Sequence, residues 1–152
     1  MQVKLNPSTP SAMTGNSTRV RTQYAALPIA VKDGQPQVLL VTSRETRRWV
    51  IPKGWPEKNL KASELAAREA FEEAGVLGKI RKQPLGSYHY DKRLTAKKTV
   101  RCEVDVFLLD VERELDEWPE KGQRERRWMT PSEAAHLVSE ISLAEILLNL
   151  AA

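Results

Sequence analysis

The stretch Arg68-Glu69-Ala70-Phe71-Glu72-Glu73-Ala74-Gly75-Val76 decides how the rest of this chain is read. At about 100° per residue, Glu69, Glu72 and Glu73 share one face of a helix while Ala67, Ala70, Phe71 and Ala74 cluster opposite them. The spacing predicts a helix from an N-cap at Ser63 to Ala74, with Gly75 at the left-handed position that ends it. Its buried side would be small residues with Phe71 as the aromatic anchor. Its polar side is costly, because three like charges repel. Glu72 and Glu73 also occupy the last turn, where the helix dipole disfavours each anion by about 0.3 to 1 kcal/mol. A hard divalent cation, Mg2+ or Mn2+, would remove the conflict, since it prefers carboxylate oxygens and keeps waters that a phosphate can replace. The alternative for an arbitrary Glu-Glu pair is a solvated acidic face.

Working outward, the flanks read as strands. Tyr24 to Val31 is apolar and β-compatible, with Pro28 marking it as an edge or bulged strand, and Lys32-Asp33-Gly34-Gln35-Pro36 is a turn cluster. Gln37 to Thr42 reads as a buried returning strand, and Trp49-Val50-Ile51 as a short apolar piece before a constrained loop at Lys53-Gly54-Trp55-Pro56. After the helix, strands are expected at Leu85 to Tyr90 and Thr99 to Val111, the second with one wet face in its first half. Asp91 to Lys98 between them reads as a basic connector able to reach a ligand. Arg126 to Met129 is a short strand, Thr130-Pro131-Ser132-Glu133 a capping box opening a helix towards Val138, and Ser142 to Leu150 an apolar helical tail. Residues 1–18, rich in Ser, Thr, Pro and Asn, read as a mobile arm before one domain over 19–152. The order of elements predicts an α+β domain with a mixed sheet.

Composition bounds the class of protein. The chain has 152 residues, 41% of them hydrophobic and 29% charged, which excludes a disordered polycation, a collagen or a coiled-coil array. A single cysteine, Cys102, cannot form an internal disulfide, and there is no run of about 18 apolar residues and no secretory signal layout. These features lead us to expect a soluble cytoplasmic protein with no membrane partner. The net charge of +4 is unevenly spread: +6 over residues 1–53, −2 over 54–76, +7 over 77–101 and −7 over 102–152. Two basic segments bracketing a short acidic one suit a polyanion held near a carboxylate-bound cation. Ordinary surface charge would give the same sums, and a pI near 9.3 alone would also admit nonspecific nucleic-acid binding.

Read as Gly54-(x5)-Leu60-(x7)-Arg68-Glu69-Ala70-Phe71-Glu72-Glu73-Ala74-Gly75-Val76, the segment resembles the Nudix box, the loop-helix-loop signature of Nudix hydrolases. The core REAFEEAGV matches at every position that family fixes, whereas Leu60 stands where its pattern has Glu. Glu57 and Glu64 are the nearby acids that could substitute electrostatically, and Glu64 is also spaced to pair with Arg68. The resemblance implies a Nudix fold, a mixed β-sheet sandwiched between helices. It also implies metal-dependent hydrolysis of a diphosphate linked to another group X, by water attack at phosphorus. By position, Glu69 and Glu73 are then metal ligands and Glu72 is the base or an additional ligand. Arg68 orients a carboxylate, and Gly54 permits close backbone approach to phosphate.

Two further stretches, VLLVTSRETRRWVIPKGW (38–55) and LDEWPEKGQRERRWMTPSEA (115–134), are similar to the branch that hydrolyses diphosphoinositol polyphosphates and dinucleoside polyphosphates. That similarity implies a polyphosphorylated small-molecule substrate, contacted by Arg44, Lys53 and Arg124, with Arg47 and Arg48 beside them. Lys92, Arg93, Lys97 and Lys98 clamp a long phosphate chain or form a solvated loop. A nucleotide sugar fits less well, because the basic segments suggest more phosphates than it carries. The competing readings are pyrophosphate removal from an RNA 5′ end and a non-catalytic polyphosphate- or RNA-binding module. Tyr88, Tyr90 and Trp55 could stack on a base, although core packing is the expectation for aromatics at strand spacing. His89, His136, Cys102, Trp118 and Trp128 read as structural.

Overall fold

The computed structural model describes residues 19–151, so the expected arm over 1–18 lies outside the described residues. Eight strands, β1 (Val20–Lys32), β2 (Gln35–Thr42), β3 (Trp49–Val50), β4 (Lys53–Gly54), β5 (Val76–Ile80), β6 (Gly86–Thr95), β7 (Lys98–Glu114) and β8 (Arg126–Met129), form one sheet. Its spine runs β3-β2-β1-β7-β5, with β8 beside β2, β4 beside β1 and β6 beside β7. The sheet is mixed, because β1 and β7 run parallel from Val20↔Arg101 to Ile29↔Asp110 while their other pairings are antiparallel. Three helices complete the fold: α1 (Ala62–Glu69), continued by a π-helical turn over Ala70–Ala74, α2 (Pro131–Leu137) and α3 (Ile141–Ala151). This is the α+β domain with a mixed sheet and helices that the sequence predicts.

Side-chain alternation along the central strands divides the core in two. Ala25, Leu27, Val38, Leu40, Val104 and Val106 pack with Ala134, Leu143 and Leu147 of α2 and α3. Ala26, Leu39, Val41, Phe107 and Leu109 pack with Ala66, Ala70 and Ala74 of the α1 side. The sheet is therefore covered by helices on both faces. The start of β7 has its wet face, with Val100, Cys102 and Val104 buried and Arg101 exposed between them.

Four local expectations are corrected. Pro28 lies inside a central strand rather than at an edge. Ala25 is the last registered partner of β4 and Ile29 the first of β2, so Pro28 falls between these pairings, where a missing N–H is tolerated. The basic connector is mostly ladder: β6 runs to Thr95 and β7 starts at Lys98, because exposed charges do not interrupt main-chain pairing. The N-cap of α1 is Lys61, whose N–H donates to the Glu64 carboxylate at 3.1 Å, while Ser63 is buried inside the first turn. Phe71 is half-buried and outside both core clusters. The contact with the sheet is an alanine stripe, and the π turn shifts the phase that a regular wheel assumes.

The end of the π turn explains how two glutamates are tolerated there. Gly75 has φ 68°, and a Cβ on it would stand 2.5 Å from Trp118 Cδ2. Arg126 donates to the carbonyls of Ala74 (2.9 Å), Gly75 (3.3 Å) and Leu115 (2.8 Å), with its guanidinium carbon 3.9 Å from the centre of the Trp118 ring. A cation is thus supplied where the helix dipole wants one. The same contacts fasten the 115–125 loop to the box helix.

Candidate active site

Pairing of β4 with Tyr24 and Ala25 lays Lys53 and Gly54 alongside the box helix. A Cβ on Gly54 would stand 2.6 Å from both Cδ and Oε2 of Glu69, so this approach needs glycine. The obstacle is the tip of a flexible side chain, so Gly54→Ala is expected to change stability by less than about 1 kcal/mol. Because Glu69 must swing away, its expected cost is about 10- to 100-fold in metal affinity. Urea denaturation and Mg2+ titration of the same variant check the two halves.

The carboxylates are not equivalent. Glu73 is only 7% exposed, and its pKa is pushed up to about 8, chiefly by burial, with Arg124 and Lys53 opposing and Glu69 reinforcing the shift. Glu69 is raised as well, again mainly by burial, although its hydrogen bond with Glu73 pulls it down. Burial thus favours the protonated form of Glu73. Glu72 sits apart with Arg68, its Oε2 lying 3.7 Å from the guanidinium Nε. Arg68 also lies 3.9 Å from Glu69 and holds Glu57 through two hydrogen bonds, which draw the Glu57 carboxyl below its ordinary range. Of the two acids near Leu60, Glu57 therefore pairs with Arg68, while Glu64 caps the helix.

The basic residues divide in the same way. Lys53 is half-buried, with Nζ 5.1 Å from the Tyr90 ring centre. Burial is the main cause lowering its pKa, while Glu73 and Glu140 pull upward and Lys92 and Arg124 add to the lowering. Arg124 is turned inward: Nη2 is 3.7 Å from Glu73, Nε donates to Glu120 at 2.7 Å and Nη1 to the Thr42 carbonyl at 3.1 Å. Arg44 is exposed and donates to the Gln123 side chain, and Arg47 donates to the Gln123 carbonyl. Lys92 is half-buried near Lys53, whereas Arg93, Lys97 and Lys98 are exposed at the hairpin tip.

Sequence reasoning missed Glu120. Its N–H donates to the Glu72 carbonyl at 3.0 Å, its carboxylate holds Arg124, and its charge raises the pKa of Glu69. The spacing of Glu120 and Arg124 as a four-residue pair was the available signal. Among the aromatics, Tyr88 is core, and Trp55 lies beneath the Arg21 guanidinium at 4.3 Å.

The donor set fits a hard divalent cation. Glu73 is buried and Glu69 half-buried, burial raises the pKa of both, and Glu72 and Glu120 add acidic oxygens near Glu69. Among the described residues no three His, Cys, Asp or Glu side chains enclose an ion. Mg2+ is usually held by one or two carboxylates and completed by waters and substrate phosphates.

A family model for the NUDIX domain matches residues 21–150. The chain belongs to the NUDIX domain family. It is 40% identical over 104 residues to Nudix hydrolase 12, mitochondrial, of Arabidopsis thaliana, covering 66% of this chain and 51% of that protein. It is 32% identical over 103 residues to diphosphoinositol polyphosphate phosphohydrolase 3-beta of Bos taurus, covering 66% of this chain and 58% of that one. The chain thus spans about half the length of these curated relatives. In fold, this Nudix chain is similar to a C. elegans Ap4A hydrolase binary complex, with TM-score 0.64 and 16% identity over 87% of this chain and 96% of that one. No helix among the described residues is long and apolar enough to cross a membrane.

Proposed function

We propose that this Nudix chain is a metal-dependent pyrophosphohydrolase that cleaves a phosphoanhydride bond in a highly phosphorylated small molecule, a diphosphoinositol polyphosphate or a dinucleoside polyphosphate. The observation that carries the reading is the buried Glu69–Glu73 pair, with Glu73 raised to about 8 and faced by Arg124 and Lys53. Glu69 and Glu73 would hold Mg2+, or Mn2+ in its place, with Glu72 as a further ligand. When bound, the cation supplies charge neutralisation on phosphate oxygens and a more acidic water. Glu72, half-exposed and 3.7 Å from Arg68 Nε, would, if it is not a ligand, accept the proton of the attacking water.

Arg68 orients Glu72 and Glu69, and Lys53 and Gly54 present an ammonium and an open backbone to phosphate. Arg44 reaches outlying phosphates from an exposed loop. Arg124, held by Glu73, Glu120 and Thr42, would position Glu73 in addition to the phosphate contact expected of it. One catalytic domain over 19–152 and a cytoplasmic setting, suggested by the lone buried Cys102, are parts of the same proposal.

The test is turnover with and without Mg2+ on diadenosine tetraphosphate, diphosphoinositol pentakisphosphate, 5′-triphosphate RNA and ADP-ribose. Mg2+-dependent hydrolysis of one of the first two is expected. Preference for the RNA would support 5′-end processing instead. Tight metal-independent RNA binding without turnover would mark a binding module.

A further inference from the structure

The carbonyls in the last turn of a helix have no donor farther along it and must find one elsewhere. At the end of the box helix, Phe71 is served by the Gly75 N–H at 3.0 Å. The carbonyls that follow are all met from a single segment, residues 115–126. The Glu120 N–H donates to the Glu72 carbonyl at 3.0 Å and the Trp118 indole N–H to the Glu73 carbonyl at 3.3 Å. Arg126 donates to the Ala74 carbonyl at 2.9 Å, and the Leu115 N–H to the Gly75 carbonyl at 2.8 Å. The turn that carries Glu72 and Glu73 is thus capped by the loop that carries Glu120 and Arg124.

Trp118 is where the two are joined. Its ring lies against Gly75, where a Cβ would stand 2.5 Å from Cδ2, and the Arg126 guanidinium carbon sits 3.9 Å from its centre on the way to the helix carbonyls. Its own carbonyl accepts from the Lys121 N–H at 3.2 Å, which closes a turn around Glu120. Glu120 in turn holds Arg124 at 2.7 Å, and Arg124 Nη2 lies 3.7 Å from Glu73. A displaced indole would therefore move the acid and the guanidinium that face the carboxylate pair, and would release the main chain of Glu73 as well. An aromatic needed only for volume would not require the N–H, which can act solely as a donor.

The structure assigns Trp118 as a positioning residue for the carboxylate site: its indole N–H and its stack with Arg126 fix how the loop bearing Glu120 and Arg124 sits on the turn bearing Glu72 and Glu73. The inference rests on the pyrophosphohydrolase reading and adds to it a residue that acts through others, without contact with phosphate or cation. The sequence marks Trp118 only as structural, because nothing local shows that its donor is aimed at the main chain of a glutamate 45 residues earlier.

The test follows Trp118→Leu and Trp118→Phe, each alone and combined with Glu120→Gln, by Mg2+ calorimetry and by steady-state hydrolysis of the substrate that wild type turns over, at a temperature below every variant's melt. Trp118→Leu loses both the N–H and the stack, and kcat and Mg2+ affinity are each expected to fall about 30-fold with KM moving less than about twofold. Trp118→Phe keeps the stack and loses only the N–H, and the same two quantities should fall about fivefold. Because Trp118 acts through the loop, Glu120→Gln should lower kcat far less in the Trp118→Leu background than in wild type. A packing residue would lower Tm, leave kcat and Mg2+ affinity of the folded variants at wild-type values, and combine with Glu120→Gln independently; either of the last two results overturns the assignment. If Trp118→Leu does not fold, Trp118→Phe decides alone, and wild-type kcat and Mg2+ affinity in that variant overturn it. If wild type binds Mg2+ and hydrolyses no phosphoanhydride, the function proposal fails by itself, and the Mg2+ affinities of the variants still decide the role of Trp118.

Discussion

Glu73→Gln is expected to lower kcat about a thousandfold while leaving the protein at least as stable as the wild type. The loss follows because the amide cannot supply the second anionic oxygen of the Glu69–Glu73 pair. The stability follows from linkage. The folded pKa of Glu73 is about 8 against an ordinary value of 4.5. Between those values the folded chain holds a proton that the unfolded chain has released, so stability falls as pH rises through that window. An amide has no proton to lose. The variant's Tm relative to wild type should therefore rise between pH 5 and pH 8 in metal-free buffer, as read by thermal melts beside steady-state kinetics. A variant that is inactive because it is unfolded would show the opposite stability change.

Arg124→Met is expected to destabilise the fold by about 3 kcal/mol at pH 8 and by less at pH 5.5. Arg124 is the largest influence opposing the upward shift of Glu73, and it also binds the Glu120 carboxylate and the Thr42 carbonyl. Its removal pushes the Glu73 pKa higher still. At pH 5.5 Glu73 is neutral with or without the arginine, so the loss there comes from the Glu120 and Thr42 contacts alone. At pH 8 the wild-type carboxyl is partly ionised beside Arg124 while the variant keeps its proton, which adds a loss of a few tenths of a kcal/mol, roughly, to the one at pH 5.5. Urea melts at the two pH values check the difference, and the acid limb of the pH–rate profile should move to higher pH in the variant. A substrate-contacting arginine with no positioning role would raise KM and leave both the melts and the acid limb where they were.

How much of this was legible in the sequence follows a physical division. The apolar run Val38 to Val41 encodes a strand covered on both faces, the alternation of Val100 to Val106 a strand with one wet face, and REAFEEAGV a helix with carboxylates along one side. Local punctuation was also readable where the side chain makes the cap itself. Thr130 accepts from the Glu133 N–H at 3.2 Å, and Gly75 adopts its left-handed turn. What could not be read depends on partners distant in sequence. Pro28 reads as an edge or bulge residue until β4 and β2 are known to share one side of β1. Phe71 reads as a core anchor until the π turn and the nearness of the sheet select alanines instead. The inward contact of Arg124 with Glu73 could not be read, because a guanidinium in an Arg-rich segment carries no mark of it. Glu120 belongs to a loop whose position is set by Trp118 stacking under Arg126.

The Glu69–Glu73 pair as a cation site is the claim on which the functional reading stands, and calorimetric titration of Mg2+ at pH 7 tests it most directly. Run in buffers of different ionisation enthalpy, it reports the protons released on binding. The cation must displace the proton that burial keeps on Glu73, so the expected result is release of about one proton, abolished in Glu73→Gln, with affinity reduced in Glu69→Gln. Mg2+ binding without proton release, or with undiminished affinity when both glutamates are replaced by Gln, would contradict the account.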